Sequence, residues 1–459
     1  MKMFSRMQWL MCTGILLFTL ACEKDPVPPV VNPPDPTDTY EQYGTPFSNV
    51  PSNDNMVMYE VNLRAFSAGG DLQGVINRLD EIKALGVNVI WLMPIHPIGS
   101  IKSVNSPYCV RDYKALSSEY GTLETLRTLT TEAHTRGMTV IMDWIANHTA
   151  WDNAWISNPA WYTQDANGTI IHPPGTNWQD VADLNFSSNA MRKAMIDAMK
   201  YWILEANVDG YRCDYADGVP FDFWKQAIDT LQAIPNRNLI LLAEGSRADH
   251  FTAGFDLNYA WDFYGAIKNA FNGQSAKGAF LTHTNEYNVV PAGKHLLRFT
   301  TNHDQSAWES TPMVLFKGKQ GALAASVATI FMEGVPLFYT GQEVGRVATV
   351  PFFSNDPINW NDNPDMLQAY KDIMAFYTQS DVARLGTNMD YSTEEAIIFS
   401  KTLGAEQLLI LVNTRNATIE PTLPPEFNNV YWTDALTGDT LQFGAAVQMY
   451  NYRYVIARR

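Results

Sequence analysis

Three features of the chain predict an α/β fold of the (β/α)8 TIM-barrel type. Eight short, largely apolar runs recur from about residue 53, at 56–64, 87–93, 138–145, 210–213, 239–243, 255–259, 296–301 and 335–339. Some, such as VNVIWLM at 87–93, are apolar almost throughout, which is the pattern of strands covered on both faces by helices. Polar residues capable of chemistry stand at the ends of four runs, and their spacing is regular. Glu244 follows Asp214 by 30 residues and Asp304 follows Glu244 by 60, which are the lengths of one and two βα units. In a parallel barrel the carboxyl ends of the strands meet at one rim, so this spacing gathers the polar residues into one pocket.

The elements follow in order. Lys2 and Arg6 precede an apolar run that ends at Ala21-Cys22, the layout of a secretory signal over residues 1–22. A cysteine after a small residue there resembles a bacterial lipoprotein site, and implies a lipid on Cys22 as the sole link to a membrane. The chain is then expected at the outer membrane or cell surface, otherwise in the periplasm or secreted. Residues 23–52 are read as a linker, stiffened by Pro26, Pro28, Pro29, Pro33, Pro34 and Pro36. The barrel is placed at 53–378. After its first strand, residues 74–85 carry Val75, Ile76, Leu79, Ile82 and Leu85 on one helical face.

The gap of 71 residues between Asp143 and Asp214 exceeds one βα unit. Its surplus, 149–185, is rich in Trp, Asn, Pro and Gly and has a turn signal at Ala166-Asn167-Gly168, so it reads as a small subdomain inserted after the third strand. Helix resumes over 187–206. From 379 to 459 the pattern changes to short alternating strands, at 396–401, 408–413, 430–433, 447–450 and 452–457, predicting a C-terminal all-β sandwich.

Composition narrows the partners. The 459 residues carry 48 acidic and 32 basic side chains, a formal net charge of −16, which disfavours nucleic acid and anionic lipid and suits a neutral ligand. The 13 Trp, 21 Tyr and 22 Phe fit stacking on sugar rings as well as core packing. Outside the signal only Cys109 and Cys213 remain, too few for a disulfide framework. Cys213 lies between Arg212 and Asp214, so strand alternation turns it toward the helix layer.

Four motifs stand at strand ends: DWIANH at 143–148, GYRCD at 210–214, LLAEG at 241–245 and TNHD at 301–304. With Ser106-Pro107-Tyr108, Arg111-Asp112-Tyr113, Tyr120-Gly121-Thr122 and Ala182-Asp183-Leu184-Asn185, they resemble the α-amylase family of glycoside hydrolases in type and order. The resemblance covers about residues 53–459. It implies Asp214 as nucleophile, Glu244 as acid/base, Asp304 as a transition-state stabiliser, and Tyr108, His148, Arg212 and His303 as substrate-binding residues. Retaining hydrolysis needs a carboxylate at the anomeric carbon and a carboxyl group roughly 5–5.5 Å away to protonate the leaving oxygen. Arg212, two residues before Asp214 on the same face, should keep Asp214 ionised. Glu244 ends the apolar run LILLAEG, where burial should raise its pKa.

Asp143 is expected to brace Arg212 rather than touch sugar. Trp151, Trp155, Trp161 and Trp178 are either stacking platforms or the core of the inserted subdomain. The resemblance also implies a possible calcium ion at Asn147 and Asp183, both oxygen donors. Two departures bear on it. Asp217-Gly218 replaces the Lys-His pair of many calcium-dependent members, and Ser67–Gly70 replaces a longer calcium loop. No organic cofactor is implied. The expected substrate is an α-1,4-glucan such as starch, glycogen or maltooligosaccharide, cut internally. A cyclomaltodextrinase, neopullulanase or glucanotransferase on the same barrel is the enzymatic alternative. A non-catalytic glucan-binding relative would ordinarily lack a carboxylate, and this chain keeps all three.

Overall fold

The computed structural model describes residues 40–459; the signal, Cys22 and the prolines lie outside the described residues. Eight parallel strands close into a barrel: β1 (Met58–Val61), β2 (Val89–Leu92), β3 (Thr139–Trp144), β4 (Gly210–Cys213), β5 (Ile240–Ala243), β6 (Leu257–Tyr259), β7 (His295–Arg298) and β8 (Val335–Tyr339). Neighbours in sequence are neighbours in the sheet, and β1 closes the ring on β8. Each strand falls on a predicted run. The first run, 56–64, is shorter than expected as a strand, because Leu63–Phe66 turn into one helical turn over the rim.

Alternation divides the strands into two surfaces. Tyr59, Val61, Ile90, Leu92, Val140, Met142, Trp144, Tyr211, Cys213 and Leu241 pack outward in the core beneath the helices. Met58, Val89, Ile141, Ile240, Leu242, Leu257, Leu297, Val335 and Leu337 fill the barrel interior. Cys213 thus faces the helix layer and is a free, buried thiol. The predicted helix at 187–206 is Asn189–Glu205, with the Ser188 side chain accepting the Met191 N–H at 3.3 Å as its N-cap. The helix expected over 74–85 is two pieces, Leu72–Ile76 and Leu79–Lys83. A tighter bond from Arg78 N–H to Val75 O interrupts it, and the Arg78 guanidinium lies over the Trp360 ring at 4.3 Å.

Residues 40–52, the end of the expected linker, make specific contacts. Tyr43 N–H donates to Leu204 O at 2.8 Å, Asn207 Nδ2 donates to Thr45 O at 2.9 Å, and the Phe47 ring stacks on His134 at 4.4 Å. Residues 40–52 therefore lie along the barrel wall, held by backbone bonds and ring contacts that proline content alone does not reveal.

The insertion carries two short antiparallel strands, His148–Ala150 and Val181–Asp183, with two 3-10 turns between them. Its predicted turn forms where the Asp165 carboxylate accepts the N–H groups of Asn167 and Thr169 at 2.8 and 2.9 Å. The C-terminal domain is a six-stranded antiparallel sheet in the order β9 (Thr387–Asp390), β10 (Ala396–Leu403), β11 (Glu406–Asn413), β14 (Tyr454–Arg458), β12 (Tyr431–Asp434), β13 (Thr440–Gln442). Its second layer is short. Ile419, Leu423, Phe427, Phe443 and Met449 cover Ile398, Leu409, Leu411 and Val455, tied by isolated bridges such as Ile419 to Met449.

The glycine of GYRCD has a steric cause. Gly210 begins β4 at φ 148°, and a Cβ there would lie 1.9 Å from the Ile240 carbonyl oxygen, inside the β4–β5 ladder. Gly210→Ala is therefore expected to cost about 3 kcal/mol or more and to lower the thermal unfolding midpoint by several degrees; an unchanged midpoint would show that the ladder yields.

Candidate active site

The barrel interior changes character one residue pair below the rim. On four strands the inward positions run from an apolar side chain to one that is charged or carries a polar tip: Met58 then Glu60 on β1, Val89 then Trp91 on β2, Ile141 then Asp143 on β3, Leu257 then Tyr259 on β6. The same parity brings Arg212 inward on β4, and carries Asp214 and Glu244, the first residues beyond β4 and β5, over the same interior. Their backbones extend the ladder, with Asp214 N–H to Trp144 O at 2.9 Å and Glu244 N–H to Cys213 O at 3.0 Å.

Arg212 is wholly buried and joins three of the carboxylates. Its Nη1 lies 2.7 Å from Asp143 Oδ1 and 3.0 Å from Asp214 Oδ1. Nη2 lies 2.9 Å from Glu244 Oε1, close enough for charge attraction but misaligned for a hydrogen bond. Nε donates to the Tyr259 hydroxyl at 3.2 Å. The rings of Trp91, Tyr108 and Tyr259 surround the guanidinium at 5.1 to 5.8 Å. Asp143 is fully used in this bracing. Its Oδ2 accepts the Trp91 indole N–H at 3.2 Å and the Tyr108 hydroxyl at 3.0 Å.

Burial raises the pKa of both Asp214 and Glu244, Asp214 the more strongly, with Arg212 opposing in each case. The expected division, an ionised Asp214 beside a protonated Glu244, is therefore not set by burial, which acts on both. The proton belongs to the pair. Directed hydrogen bonding favours the charged form of each: Asp214 accepts an aligned N–H from Arg212, and a backbone N–H from Tyr215 opposes the rise of Glu244. Glu244 Oε2 accepts the Tyr215 N–H at 2.7 Å. To aim that N–H, Tyr215 adopts a left-handed φ of 42°, a strain of roughly 1–3 kcal/mol for a non-glycine residue. Its ring needs the space above Gly218, where a Cβ would meet Cε1 at 2.2 Å. That contact accounts locally for the Asp217-Gly218 departure.

The remaining predicted residues complete one cleft of about 720 Å³. Asp304 is the most open of the three carboxylates. His303 Nε2 lies 3.5 Å from Asp304 Oδ2 and 2.8 Å from the Tyr108 hydroxyl, and its Nδ1 meets Glu60. His148 Nε2 faces the Tyr108 carbonyl at 3.2 Å. Burial lowers the His148 pKa to about 4, so it is a neutral donor near neutral pH. The sequence model described as "Alpha amylase, catalytic domain" matches residues 42–167 and 157–419.

The chain belongs to the alpha-amylase family. It is an enzyme of glycoside hydrolase type. An alpha-amylase of Haloarcula japonica, MalA, is 24% identical over 84% of this chain and 59% of its own length. An intracellular maltogenic amylase of Bacillus subtilis is 28% identical over 76% of this chain and 62% of its own. The chain thus spans about three fifths of those relatives. The crystal structure of an alpha-amylase from Lactobacillus plantarum superposes with a TM-score of 0.80 at 27% identity, covering 88% of this chain and 99% of that one.

Two features of this amylase-family site bear on the remaining expectations. Asn147 and Asp183 do come together: His148 pairs with Asp183, and Leu184 N–H donates to Asn147 O at 3.1 Å. They are two donors with one charge, where calcium takes six to eight oxygens. Among the described residues no group of three or more His, Cys, Asp or Glu side chains is placed to hold a metal. The side chains present do not by themselves make the site, and no step below runs through a metal. Of the four inserted tryptophans, only Trp178 lines the cleft, edge-on to Tyr215 at 5.0 Å. Trp155 packs on Trp161 and on Tyr113, and the Trp151 indole N–H donates to Gln179 O.

Sequence reasoning passed over Glu60, Tyr259 and Trp308. Glu60 carried a usable signal, a lone acid at an inward position of an apolar strand. Trp308 carried none; it is 67% exposed on the cleft rim, against Phe352 and Phe353. Arg212→Met should leave Asp143 buried without its cation, at about 3–5 kcal/mol, and Asp143→Asn in that background should recover part of the loss. Thermal denaturation of the four proteins in the cycle measures this; an Arg212→Met protein as stable as the parent would refute it.

Proposed function

We propose that this enzyme hydrolyses internal α-1,4-glucosidic bonds of starch-like glucans with retention of configuration. The observation that carries the reading is a single guanidinium touching Asp214 and Glu244, with Asp304 lining the same cleft. Asp214 attacks the anomeric carbon as the bond to the leaving oxygen breaks, and the proton of Glu244 passes to that oxygen. Water then attacks the glycosyl ester, giving its proton to Glu244 and releasing Asp214. Asp304 binds sugar hydroxyls more tightly as the ring flattens toward the oxocarbenium ion. His148 and His303 line the cleft beside the same sugar.

The cleft supports an extended neutral substrate. Trp178, Tyr215 and Trp308 line it, offering apolar faces for sugar stacking at low charge. The match to a relative named as a maltogenic amylase supports a second reading, cleavage of short or cyclic maltooligosaccharides or transfer between them, on the same carboxylates.

On amylose the enzyme is expected to release mixed-length α-anomeric products early while leaving cyclodextrin intact, followed by chromatography and proton NMR. Early release of maltose alone, or rapid opening of cyclodextrin, favours the second reading. Glu244→Gln should lower kcat at least a thousandfold while glucan binding persists; a variant retaining a tenth of the activity would overturn the assignment.

We also propose, from the charged and apolar start and Ala21-Cys22, that the chain is an exported lipoprotein. Cys22→Ala should move it from the membrane fraction to the soluble one, and persistent membrane association would count against the lipid.

A further inference from the structure

Glu60 takes no part in the two-carboxylate chemistry, yet it is a fully buried acid on β1 in the wall of the site. Its Oε1 lies 2.5 Å from His303 Nδ1. Its Oε2 has no hydrogen-bond partner among the described residues. A buried carboxylate left half unpaired costs stability, so its one contact needs a reason.

Donor counting supplies one. Asp143, bound to Arg212, accepts only, so the Tyr108 hydroxyl gives its single proton to Asp143 Oδ2. The Tyr108 oxygen is then an acceptor, and the 2.8 Å contact to His303 Nε2 requires a proton on that nitrogen. The 2.5 Å contact with Glu60 takes one more, which sits on Nδ1 when Glu60 is a carboxylate. With Glu60 ionised, as Arg212 and His303 beside it favour, the chain Glu60–His303–Tyr108–Asp143 is consistent when His303 carries N–H on both sides; a protonated Glu60 donating to Nδ1 would leave the ring one N–H, on Nε2.

We propose that Glu60 is a positioning residue that locks His303 as a donor at both ring nitrogens, placing a fixed cation between Tyr108 and Asp304 where a sugar hydroxyl binds. The assignment deepens the glycosidase reading above and rests on it for its effect on turnover. The charged and titratable groups facing the ring are Glu60 from β1, Tyr108 from the loop after β2, Arg212 from β4, Glu244 beyond β5 and Asp304 beside it; Asp143 and Tyr339 act on it through Glu60. Burial and Arg212 disfavour the charged ring, but Asp304 and Glu60 outweigh them, and the His303 pKa rises to about 9. A raised pKa means that the cation is present below that value and is lost as pH rises through it. Activity should therefore have an alkaline limb that reports His303.

Glu60→Gln retains an oxygen facing Nδ1 but removes the charge. Its kcat/KM on maltooligosaccharide should fall about tenfold at pH 8, and its alkaline limb should move at least one pH unit lower. The direct measurement is the imidazole 15N spectrum of the full chain at pH 7, with His303 assigned by its loss in His303→Gln. Two protonated ring nitrogens are expected in the parent and one in Glu60→Gln. A singly protonated His303 in the parent overturns the proposal, and that measurement stands even if Glu60→Gln does not fold. A folded Glu60→Gln with the parent's alkaline limb also overturns it. The 15N result is independent of turnover, so a parent inactive on every α-glucan would defeat the proposed function while leaving the Glu60 assignment separately decided.

Discussion

Arg212 has no solvent exposure, and the site is arranged around the need to satisfy it. A guanidinium removed from water is tolerated only with anions and acceptors in reach of its planar fork. Here Asp143, Asp214, Glu244 and the Tyr259 hydroxyl supply them, and three aromatic rings close the remaining sides. Because the fork is rigid, satisfying it also sets where Asp214 and Glu244 stand relative to one another. A structural requirement and a chemical one are met by the same atoms.

That arrangement depends on strand register. Asp143 pairs with Arg212 across β3 and β4, and Arg212 with Leu242 across β4 and β5. Two-residue alternation then lifts Asp214 and Glu244 to the level just above. Gly210 permits the register, since β5 approaches too closely for any side chain there. A slip of one residue would turn every one of these groups into the helix layer.

One cation shared among three carboxylates leaves the pair at the rim incompletely neutralised. Burial raises both of its members, and each receives one hydrogen bond that favours its charged form, an aligned guanidinium N–H on Asp214 and a strained backbone N–H on Glu244. Glu60, His303, Tyr108 and Asp143 form a continuous chain of short contacts that ends on the same Arg212 network.

The sequence by itself determined the eight strands, their order, the inserted and C-terminal domains, and the residues that face one pocket. These follow from periodicity and from motifs within a few residues of a strand end, which are local properties of the chain. It also suggested the contact between Asp143 and Arg212, because parity puts both inward. Only the tertiary structure showed what residues 40–52 pack against, partners such as Leu204 and Asn207 some 160 residues away. It alone showed that burial lifts Asp214 with Glu244, that Trp178 but not Trp155 or Trp161 reaches the cleft, and that Glu60 meets His303 across 243 residues of sequence. Desolvation and long-range pairing are sums over everything that surrounds a group, and no window of neighbouring residues contains that sum.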